Sequence, residues 1–274
     1  MPASSQRNVI FNNVSAQTVL GIDFADRKRR EASFAELATR IGSGYRFLQT
    51  RPVTVPQGQW PSSEEYILSW VEDARRDGNP MRAVLGHCVG SVYAAAVAER
   101  ISQWQPEPDV ILFDPQLASL KSLGDELRKE ISANSSLMSD DEIERAREIT
   151  NRISYLDPSG VARIAAHAVE SYLEVITPAF ERAGLGTVRG SKLYEYFVSY
   201  MAWLSVAAEL DPSRALKKSI VIMSHDYAKL PNRMLPDDYA GNSAVRWIAC
   251  DVSHAELLRS DSVAKEVLDL LESR

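Results

Sequence analysis

The sequence predicts an α/β protein in which a mostly parallel, twisted β-sheet carries helices on both faces. Apolar segments with strand composition alternate with amphipathic helical segments over the first part of the chain, which is typical of a parallel sheet. From about Gln116 to Leu210 the pattern changes to successive helical segments, after which strand-like segments return. We therefore expect a single domain over residues 1–274, interrupted by a helical insertion over residues 116–210.

The strands are predicted from short apolar runs bounded by turn residues. In chain order they are Asn8 to Phe11, Tyr45 to Gln49, Met81 to Leu85, Asp109 to Phe113, Ser219 to Met223 and Val245 to Ala249. A loop is predicted from Asn12 onward, between the first two of these strands.

The helices are predicted from apolar residues at helical spacing and from capping residues. Outside the insertion they are Phe34 to Ile41, a helix capped by Ser62 and Ser63, Val89 to Ile101, and a last helix carrying Val263, Val267, Leu270 and Leu271. Within the insertion, Ser139 and Glu142 fit a capping box, and Pro158 is placed to open a further helix.

The composition excludes several classes of function. The chain has 274 residues, 45% of them hydrophobic, and a net charge of −6, which does not suit nucleic acid as the main partner. No apolar run approaches the roughly 20 residues that a membrane span needs. Two cysteines and the lack of a signal sequence indicate a cytoplasmic protein with reduced thiols. The four histidines show no metal-ligand spacing, so we expect neither a metal nor another bound cofactor.

One segment predicts a nucleophile. A strand leads through Gly86-His87-Cys88-Val89-Gly90 into an alanine-rich helix. This is the pattern of a nucleophile elbow, in which only small residues fit two positions either side of the nucleophile. The turn places the Cys88 thiol at the amino end of the helix, where the helix dipole favours a thiolate.

Candidate partners follow Cys88 in the order acid, then histidine. His254 comes just after the last predicted strand and can act as the general base. Asp114 and Asp226 each follow a strand, and either carboxylate can orient that histidine. The Val89 N–H is expected to form half of an oxyanion hole, and the loop at Asn12 and Asn13 is expected to supply the other half.

These residues resemble the α/β-hydrolase thioesterases of nonribosomal peptide and polyketide synthesis, in a variant with cysteine as the nucleophile. The matching features are GHCVGS for the family's GxSxG, VILFDPQ for a strand followed by an aspartate, and SHAELLRSDSVAKEVLDLL for its terminal stretch. The resemblance covers nearly the whole chain in order, and it implies an α/β-hydrolase fold with a helical lid. It makes Asp114 the first choice of acid, because the family commonly carries the acid after its sixth strand. The loop at Asn12 and Asn13 lacks the family's Pro-Pro-Ala-Gly-Gly-like segment.

The resemblance implies an enzyme of natural-product biosynthesis, such as antibiotic synthesis, whose substrates are thioesters on the phosphopantetheine arm of an acyl or peptidyl carrier protein. With cysteine in place of the family's serine, the enzyme-bound intermediate remains a thioester, close in free energy to the substrate. This suits handover of the acyl group to another thiol or to an amine. A thiol is also the stronger nucleophile at neutral pH. We therefore expect acyl or aminoacyl transfer through Cys88.

Other functions stay open at this stage. Similar cysteine enzymes hydrolyse the thioester, as editing or product-releasing thioesterases, or close rings. Dienelactone hydrolases carry a similar GYCxGG turn, and the acid position of that family favours Asp226. A non-catalytic α/β binding protein would bury an unreactive Cys88 far from His254.

Two further sets of residues are candidates for binding. His87 and the aromatic residues Tyr196, Tyr200 and Trp203 are expected to line an acyl pocket, although an aromatic stripe is more often plain core. A carrier protein is typically acidic, so basic side chains are expected where it docks. The candidates are the run Arg27 to Arg30, Arg152, Arg163 and Arg189.

Overall fold

The computed structural model describes residues 8–12, 15–24, 31–51, 53, 55, 60–153, 160–186, 192–211, 213, 219–230, 232–234 and 246–273. The side chains of Asn8, Val9, Asn12, Asp77 and Leu193 lie outside this description. The chain divides into two compact units. The first contains the sheet, and the second contains the helical insertion.

The first unit is built on one sheet, to which the described residues contribute seven strands in the order β1-β3-β2-β4-β5-β6-β7. β1 runs antiparallel to β3, and the other neighbouring strands are parallel. Their bounds are β1 Asn8–Asn12, β2 Thr18–Ile22, β3 Arg46–Thr50, β4 Met81–His87, β5 Asp109–Phe113, β6 Ile220–Met223 and β7 Arg246–Ala249. The carboxyl ends of β2 to β7 therefore meet at one edge of the sheet.

The sequence prediction missed β2. The segment Thr18–Ile22 was expected to be loop, but it is a fully buried strand between β3 and β4. The five residues TVLGI are too short and too uniformly apolar to show a period of two, since a strand covered on both faces has no polar side. The missed strand matters for the site, because β2 is the direct neighbour of the strand that carries the Cys88 turn.

Helices cover both faces of the sheet, as the composition of the strands requires. Those of the first unit are α1 Phe34–Ile41, α2 Ser63–Asp77, α3 Gly90–Ile101 and, last in the chain, α8 Asp261–Glu272. On one face, α1 and α8 join a buried cluster with strand residues such as Phe47, Leu85 and Phe113. α2 and α3 pack through aromatic rings, with the Trp70 and Tyr93 centroids 5.3 Å apart.

The second unit comprises Ala118–Glu209 together with Pro52–Ser63. Its helices are α4 Leu120–Asn134, α5 Asp140–Ile153, α6 Val161–Arg182 and α7 Lys192–Glu209. The predicted capping box is present at the start of α5, where the Ser139 N–H donates to the Glu142 carboxylate over 2.8 Å. Pro158 lies outside the described residues. None of the helices in the described part of the chain is long and apolar enough to cross a membrane.

The Glu142 carboxylate also ties α5 to α6. The Arg182 guanidinium donates to both carboxylate oxygens over 2.7 and 2.6 Å, and the Glu142 side chain is 6% exposed. The hydrogen bonds from Arg182 and from the Ser139 backbone lower the pKa of Glu142 to about 2.

Candidate active site

The turn after β4 has the geometry that the sequence predicts for a nucleophile elbow. Cys88 follows the last residue of β4 and adopts φ 52°, a left-handed conformation that is rare for residues other than glycine. Its N–H donates to the Phe113 carbonyl over 3.0 Å, which fastens the turn to the end of β5. α3 then begins at Gly90, and Cys88 itself is half-buried at the carboxyl edge of the sheet.

The two glycines of the turn are required by space. A Cβ at Gly86 would stand 2.5 Å from the Ser91 Cα, and a Cβ at Gly90 would stand 2.2 Å from the Ile22 carbonyl oxygen. Neither backbone atom can move without shifting α3 or β2. The small residues therefore let the strand, the helix and the neighbouring β2 approach closely enough to expose Cys88 at the turn.

Asp114 and His254 are joined by a direct hydrogen bond. The His254 Nδ1 lies 2.7 Å from the Asp114 Oδ2, and the Asp114 side chain is 0% exposed. Asp114 directly follows β5, with φ 42°, another left-handed non-glycine residue. Its carboxylate also accepts hydrogen bonds from the Ser224 N–H over 2.8 Å and from the Ser224 hydroxyl over 2.5 Å. With Nδ1–H held by a carboxylate, the Nε2 of His254 is left as the basic nitrogen.

The alternative acid, Asp226, contacts the same histidine differently. Its Oδ1 accepts a hydrogen bond from the His254 backbone N–H over 2.7 Å. Burial raises the pKa of Asp226, but hydrogen bonds from Ser224 and from the His254 backbone outweigh it, so that the pKa is lowered overall. Asp226 thus fixes the start of the short 3₁₀ turn His254–Arg259, while Asp114 holds the imidazole ring.

The turns that carry Cys88 and Asp114 are hydrogen-bonded to each other. Besides the bond from the Cys88 N–H to Phe113, the Gln116 N–H donates to the Cys88 carbonyl over 3.1 Å. The His254 ring in turn stacks on the ring of His87, the residue before Cys88, with centroids 5.2 Å apart and an interplanar angle of 19°. The structure therefore brings the Cys88 turn, Asp114 and His254 to one place.

The sequence interpretation of His87 as a substrate-binding residue is wrong. His87 is 0% exposed, because it is the last residue of β4 and its ring packs between the His254 and Phe34 rings. Its Nδ1 lies 3.6 Å from a carboxylate oxygen of Asp23, which is also buried. The His87 ring lies against the face of the His254 ring and is closed to solvent.

Of the three residues predicted to form an oxyanion hole, Val89 and Asn12 do not lie together in the structure. Val89 lies at the start of α3, next to Cys88, where its N–H can face the turn. The prediction for Asn12 is wrong. Asn12 ends β1, the antiparallel outer strand, and pairs with Phe47 near the amino end of β3, whereas Cys88 lies at the carboxyl ends of the parallel strands. Asn13 lies outside the described residues. The loop beside the Cys88 turn is the one that leaves β2 at Asp23 and Phe24. Its position follows from the pairing of β2 with β4, so it cannot be predicted unless β2 is recognised as a strand.

Glu31 is a further residue that the sequence reasoning missed. One of its carboxylate oxygens lies 3.9 Å from the His254 Nε2, and its side chain is 34% exposed. The neighbouring residue is fixed to the histidine turn, since the Ala32 N–H donates to the Ala255 carbonyl over 2.9 Å. No sequence signal marks this residue, because its proximity to His254 arises from the fold alone.

The aromatic candidates of the insertion form a stacked row along α7. The Tyr196 and Tyr200 rings are 6.3 Å apart and the Tyr200 and Trp203 rings 6.2 Å apart. Trp203 is 3% exposed and belongs to the core, whereas Tyr196 is 38% exposed. Of the three, Tyr196 and the half-buried Tyr200 remain candidates for binding an acyl group.

Two of the basic candidates line one cavity of about 430 Å³ between α5 and α6. Arg152 and Arg163 stand with His167 around an apolar floor that includes Ile149 and Ile153. Arg152 also pairs with Glu148 over 3.5 Å. The run Arg27 to Arg30 and Arg189 lie outside the described residues.

In the part of the chain that the structure describes, no three His, Cys, Asp or Glu residues are grouped so that they could hold a metal ion. The second cysteine, Cys250, follows β7, and burial raises the pKa of its thiol.

Comparison with protein-family models gives no match, and comparison with curated proteins gives none either. Solved structures do match over nearly the whole chain. The Vlm2 thioesterase domain bound with a dodecadepsipeptide is 15% identical, with 98% of this chain and 97% of that chain covered and a TM-score of 0.51. An enol-lactonase from Burkholderia xenovorans is 14% identical, with 97% and 95% covered and a TM-score of 0.52.

A third match lies within a much larger protein. Holo-AB3403, a four-domain nonribosomal peptide synthetase bound to AMP and glycine, is 11% identical, with 98% of this chain and 20% of that chain covered and a TM-score of 0.60. At such low identities the similarity concerns the fold. The fold class predicted from the sequence is thereby confirmed: the chain has an α/β-hydrolase fold, with a mostly parallel sheet and helices around it.

Proposed function

We propose that this protein is a thioesterase-like acyltransferase that takes an acyl or aminoacyl group from the phosphopantetheine thioester of a carrier protein onto Cys88. The group then passes to another carrier thiol, to an amine or to water. The observation that carries the proposal is the 2.7 Å hydrogen bond between the buried Asp114 carboxylate and the His254 imidazole, beside an elbow that presents a thiol. Cys88, His254 and Asp114 are the proposed catalytic residues.

In the first half-reaction the Cys88 sulfur attacks the thioester carbonyl carbon, and its proton passes to the His254 Nε2. The carbonyl oxygen gains negative charge, which the Val89 N–H and an N–H of the loop after β2 stabilise. The bond between this carbon and the pantetheine sulfur then breaks, and the departing thiolate takes the proton from His254. Asp114 holds the imidazolium that forms in between.

The second half-reaction repeats these steps with a new nucleophile. A carrier thiol, an amine or water attacks the carbonyl carbon of acyl-Cys88 and gives its proton to the His254 Nε2. The carbon–sulfur bond to Cys88 breaks, and the sulfur recovers the proton. When the acceptor is a thiol, one thioester replaces another, so the exchange is nearly balanced in free energy and runs in both directions.

The contacts of the two aspartates support the thioesterase interpretation over the dienelactone-hydrolase one. The dienelactone-hydrolase interpretation places the acid at Asp226. That carboxylate, however, accepts a hydrogen bond from the His254 backbone N–H, while Asp114 is hydrogen-bonded to the ring nitrogen Nδ1. A non-catalytic protein would need none of the buried carboxylate, oriented imidazole and left-handed cysteine, each of which costs stability.

The partner in this proposal is an acidic acyl or peptidyl carrier protein. The cavity with Arg152 and Arg163 on its rim offers positive charge in the insertion, and it is the docking candidate that the described residues support. No cofactor is bound to the enzyme in this scheme, since the phosphopantetheine arrives with the carrier.

The test is intact-mass spectrometry of the protein mixed with carrier proteins that are loaded with several acyl and aminoacyl groups. Wild type, Cys88→Ala and Cys250→Ala are compared, each with and without an empty holo-carrier as acceptor. Cys250→Ala is the matched control, because it removes the other cysteine of the chain, which is half-buried after β7.

We expect an adduct on wild type and on Cys250→Ala, its absence from Cys88→Ala, and appearance of the acyl group on the empty carrier faster than as a free acid. An adduct that ends mainly as free acid would make the protein a hydrolytic thioesterase. The absence of any adduct, or an adduct that persists in Cys88→Ala, would refute the proposal.

A further inference from the structure

Four carboxylates from four different segments contact His87 or His254 of the site, three of them at a ring nitrogen and one at the His254 backbone. They are Asp23 after β2, Glu31 before α1, Asp114 after β5 and Asp226 after β6. Such a concentration of negative charge around a reactive centre does not suit an anionic substrate, and it favours a substrate that carries a positive charge.

Three of these carboxylates are committed to the protein's own groups. Asp114 is fully buried on the His254 Nδ1, and Asp23 is buried beside His87. Asp226 receives the His254 backbone N–H. Glu31 differs in two respects: it faces the opposite ring nitrogen, Nε2, and a third of its side chain is accessible.

We propose that Glu31 recognises the ammonium group of an aminoacyl substrate, so that the acyl groups handled by this site are amino acids with an unblocked α-amine. The inference rests on the proposed function, and it narrows the substrate class that the catalytic residues leave open. Glu31 is a specificity-determining residue here, and it takes no part in proton transfer.

The geometry fits a cation next to the reacting carbon. The carbonyl carbon of a thioester bound for attack lies close to the His254 Nε2, because that nitrogen must reach the attacking and leaving sulfurs at hydrogen-bond distance. The α-nitrogen of an aminoacyl group is about 2.5 Å from that carbon. A carboxylate oxygen 3.9 Å from Nε2 is therefore within reach of the ammonium.

The distance also argues against a different role for Glu31. At 3.9 Å from Nε2 it is too far for a hydrogen bond, so it does not compete with the reacting sulfur for the imidazole. Being accessible, the carboxylate can exchange its own contacts for an ammonium at small desolvation cost, whereas the buried Asp114 and Asp23 cannot.

The test compares two pantetheine thioesters of nearly equal shape. The alanyl thioester carries an ammonium where the isobutyryl thioester carries a methyl group, and at pH 6.5 an amine with a pKa of about 8 is protonated. The rate of Cys88 acylation by each compound is measured by intact mass in single turnovers. The proteins are wild type, Glu31→Gln and the control Glu256→Gln, which neutralises an exposed carboxylate of the same turn as His254.

We expect wild type to prefer the alanyl thioester and Glu31→Gln to lower the alanyl-to-isobutyryl rate ratio about tenfold, as for loss of a hydrogen bond to a charged group. The isobutyryl rate should stay within about threefold, which also shows that the variant is folded. Glu256→Gln should keep the wild-type ratio.

Two results would overturn the inference while leaving the proposed function intact. One is a wild type that acylates equally well or better with isobutyryl. The other is a Glu31→Gln variant in which both rates fall together or the ratio is unchanged. Failure of both compounds to acylate the wild type would contradict the proposed function itself, and the inference with it.

Discussion

The hydrogen bond from His254 to Asp114 makes a sharp prediction for Asp114→Asn. In the wild type, one carboxylate oxygen accepts from the Ser224 N–H, and the other accepts from the Ser224 hydroxyl and from the His254 Nδ1. The asparagine oxygen can keep the first of these bonds, which leaves its NH₂ group facing Nδ1. The imidazole then adopts the tautomer with Nε2–H, which cannot accept a proton from Cys88.

The expected loss follows from how much the thiol depends on that base. A serine hydroxyl loses about 10⁴ in kcat on the equivalent change, but a few per cent of an ordinary thiol is already ionised at pH 7. We therefore expect kcat/KM for an acyl-pantetheine to fall about 10²- to 10³-fold, equivalent to about 3–4 kcal/mol of transition-state stabilisation.

The assay is the rate of Cys88 acylation by intact mass, together with chromatographic measurement of released pantetheine. Asp226→Asn is the matched control, because its amide oxygen can still accept from the His254 N–H; a loss of less than about tenfold is expected. An Asp114→Asn variant within threefold of wild type, or an equal loss in Asp226→Asn, would refute the assignment of Asp114 as the acid.

Two further predictions concern stability. Gly90→Ala places a Cβ 2.2 Å from the Ile22 carbonyl oxygen and should lower the free energy of unfolding by about 1–3 kcal/mol; Gly44→Ala, whose Cβ meets open space, should not. The pKa of Glu142 is lowered to about 2 in the folded protein. The ionised carboxylate therefore adds to the free energy of unfolding above its unfolded pKa, and this contribution is lost as the pH falls from about 4.5 towards 2. We expect a loss of about 1–2 kcal/mol, because Arg182 is half-exposed. Urea unfolding at pH 6 and pH 3 should show this loss in wild type and little of it in Glu142→Gln; equal pH dependence would contradict the role of the pair.

The elements with clear local signals were predictable from the sequence. β5 was placed to the residue as Asp109–Phe113, and the capping box at Ser139 was correct, because both depend on neighbours in the chain. The elbow at Cys88 was predictable for the same reason, since its glycines act over two residues.

The predictions that were wrong or missing share one physical cause. Contacts between segments far apart in the chain leave no pattern in the residues of a short segment. β2 is buried on both faces and lacks alternation, so the sequence pattern predicts a loop there, and the expected oxyanion-hole loop falls at Asn12, near the amino end of β3. His87 is predicted to be accessible because it precedes Cys88, but it is the last residue of a strand that is covered on both faces, and it is buried. Glu31 came near His254 only through the fold.

The two hydrogen bonds that join the Cys88 turn to the Asp114 turn have a consequence for mutagenesis of this protein. With the Cys88 N–H on Phe113 and the Gln116 N–H on the Cys88 carbonyl, the turns that carry Cys88 and Asp114 are held together on two adjacent strands. Glu31, which we propose to select the substrate, lies on another segment and takes part in neither of these hydrogen bonds. We therefore expect single substitutions of Glu31 to leave these two turns in place, whereas Ala32 must keep its backbone position, because its N–H donates to the Ala255 carbonyl beside His254.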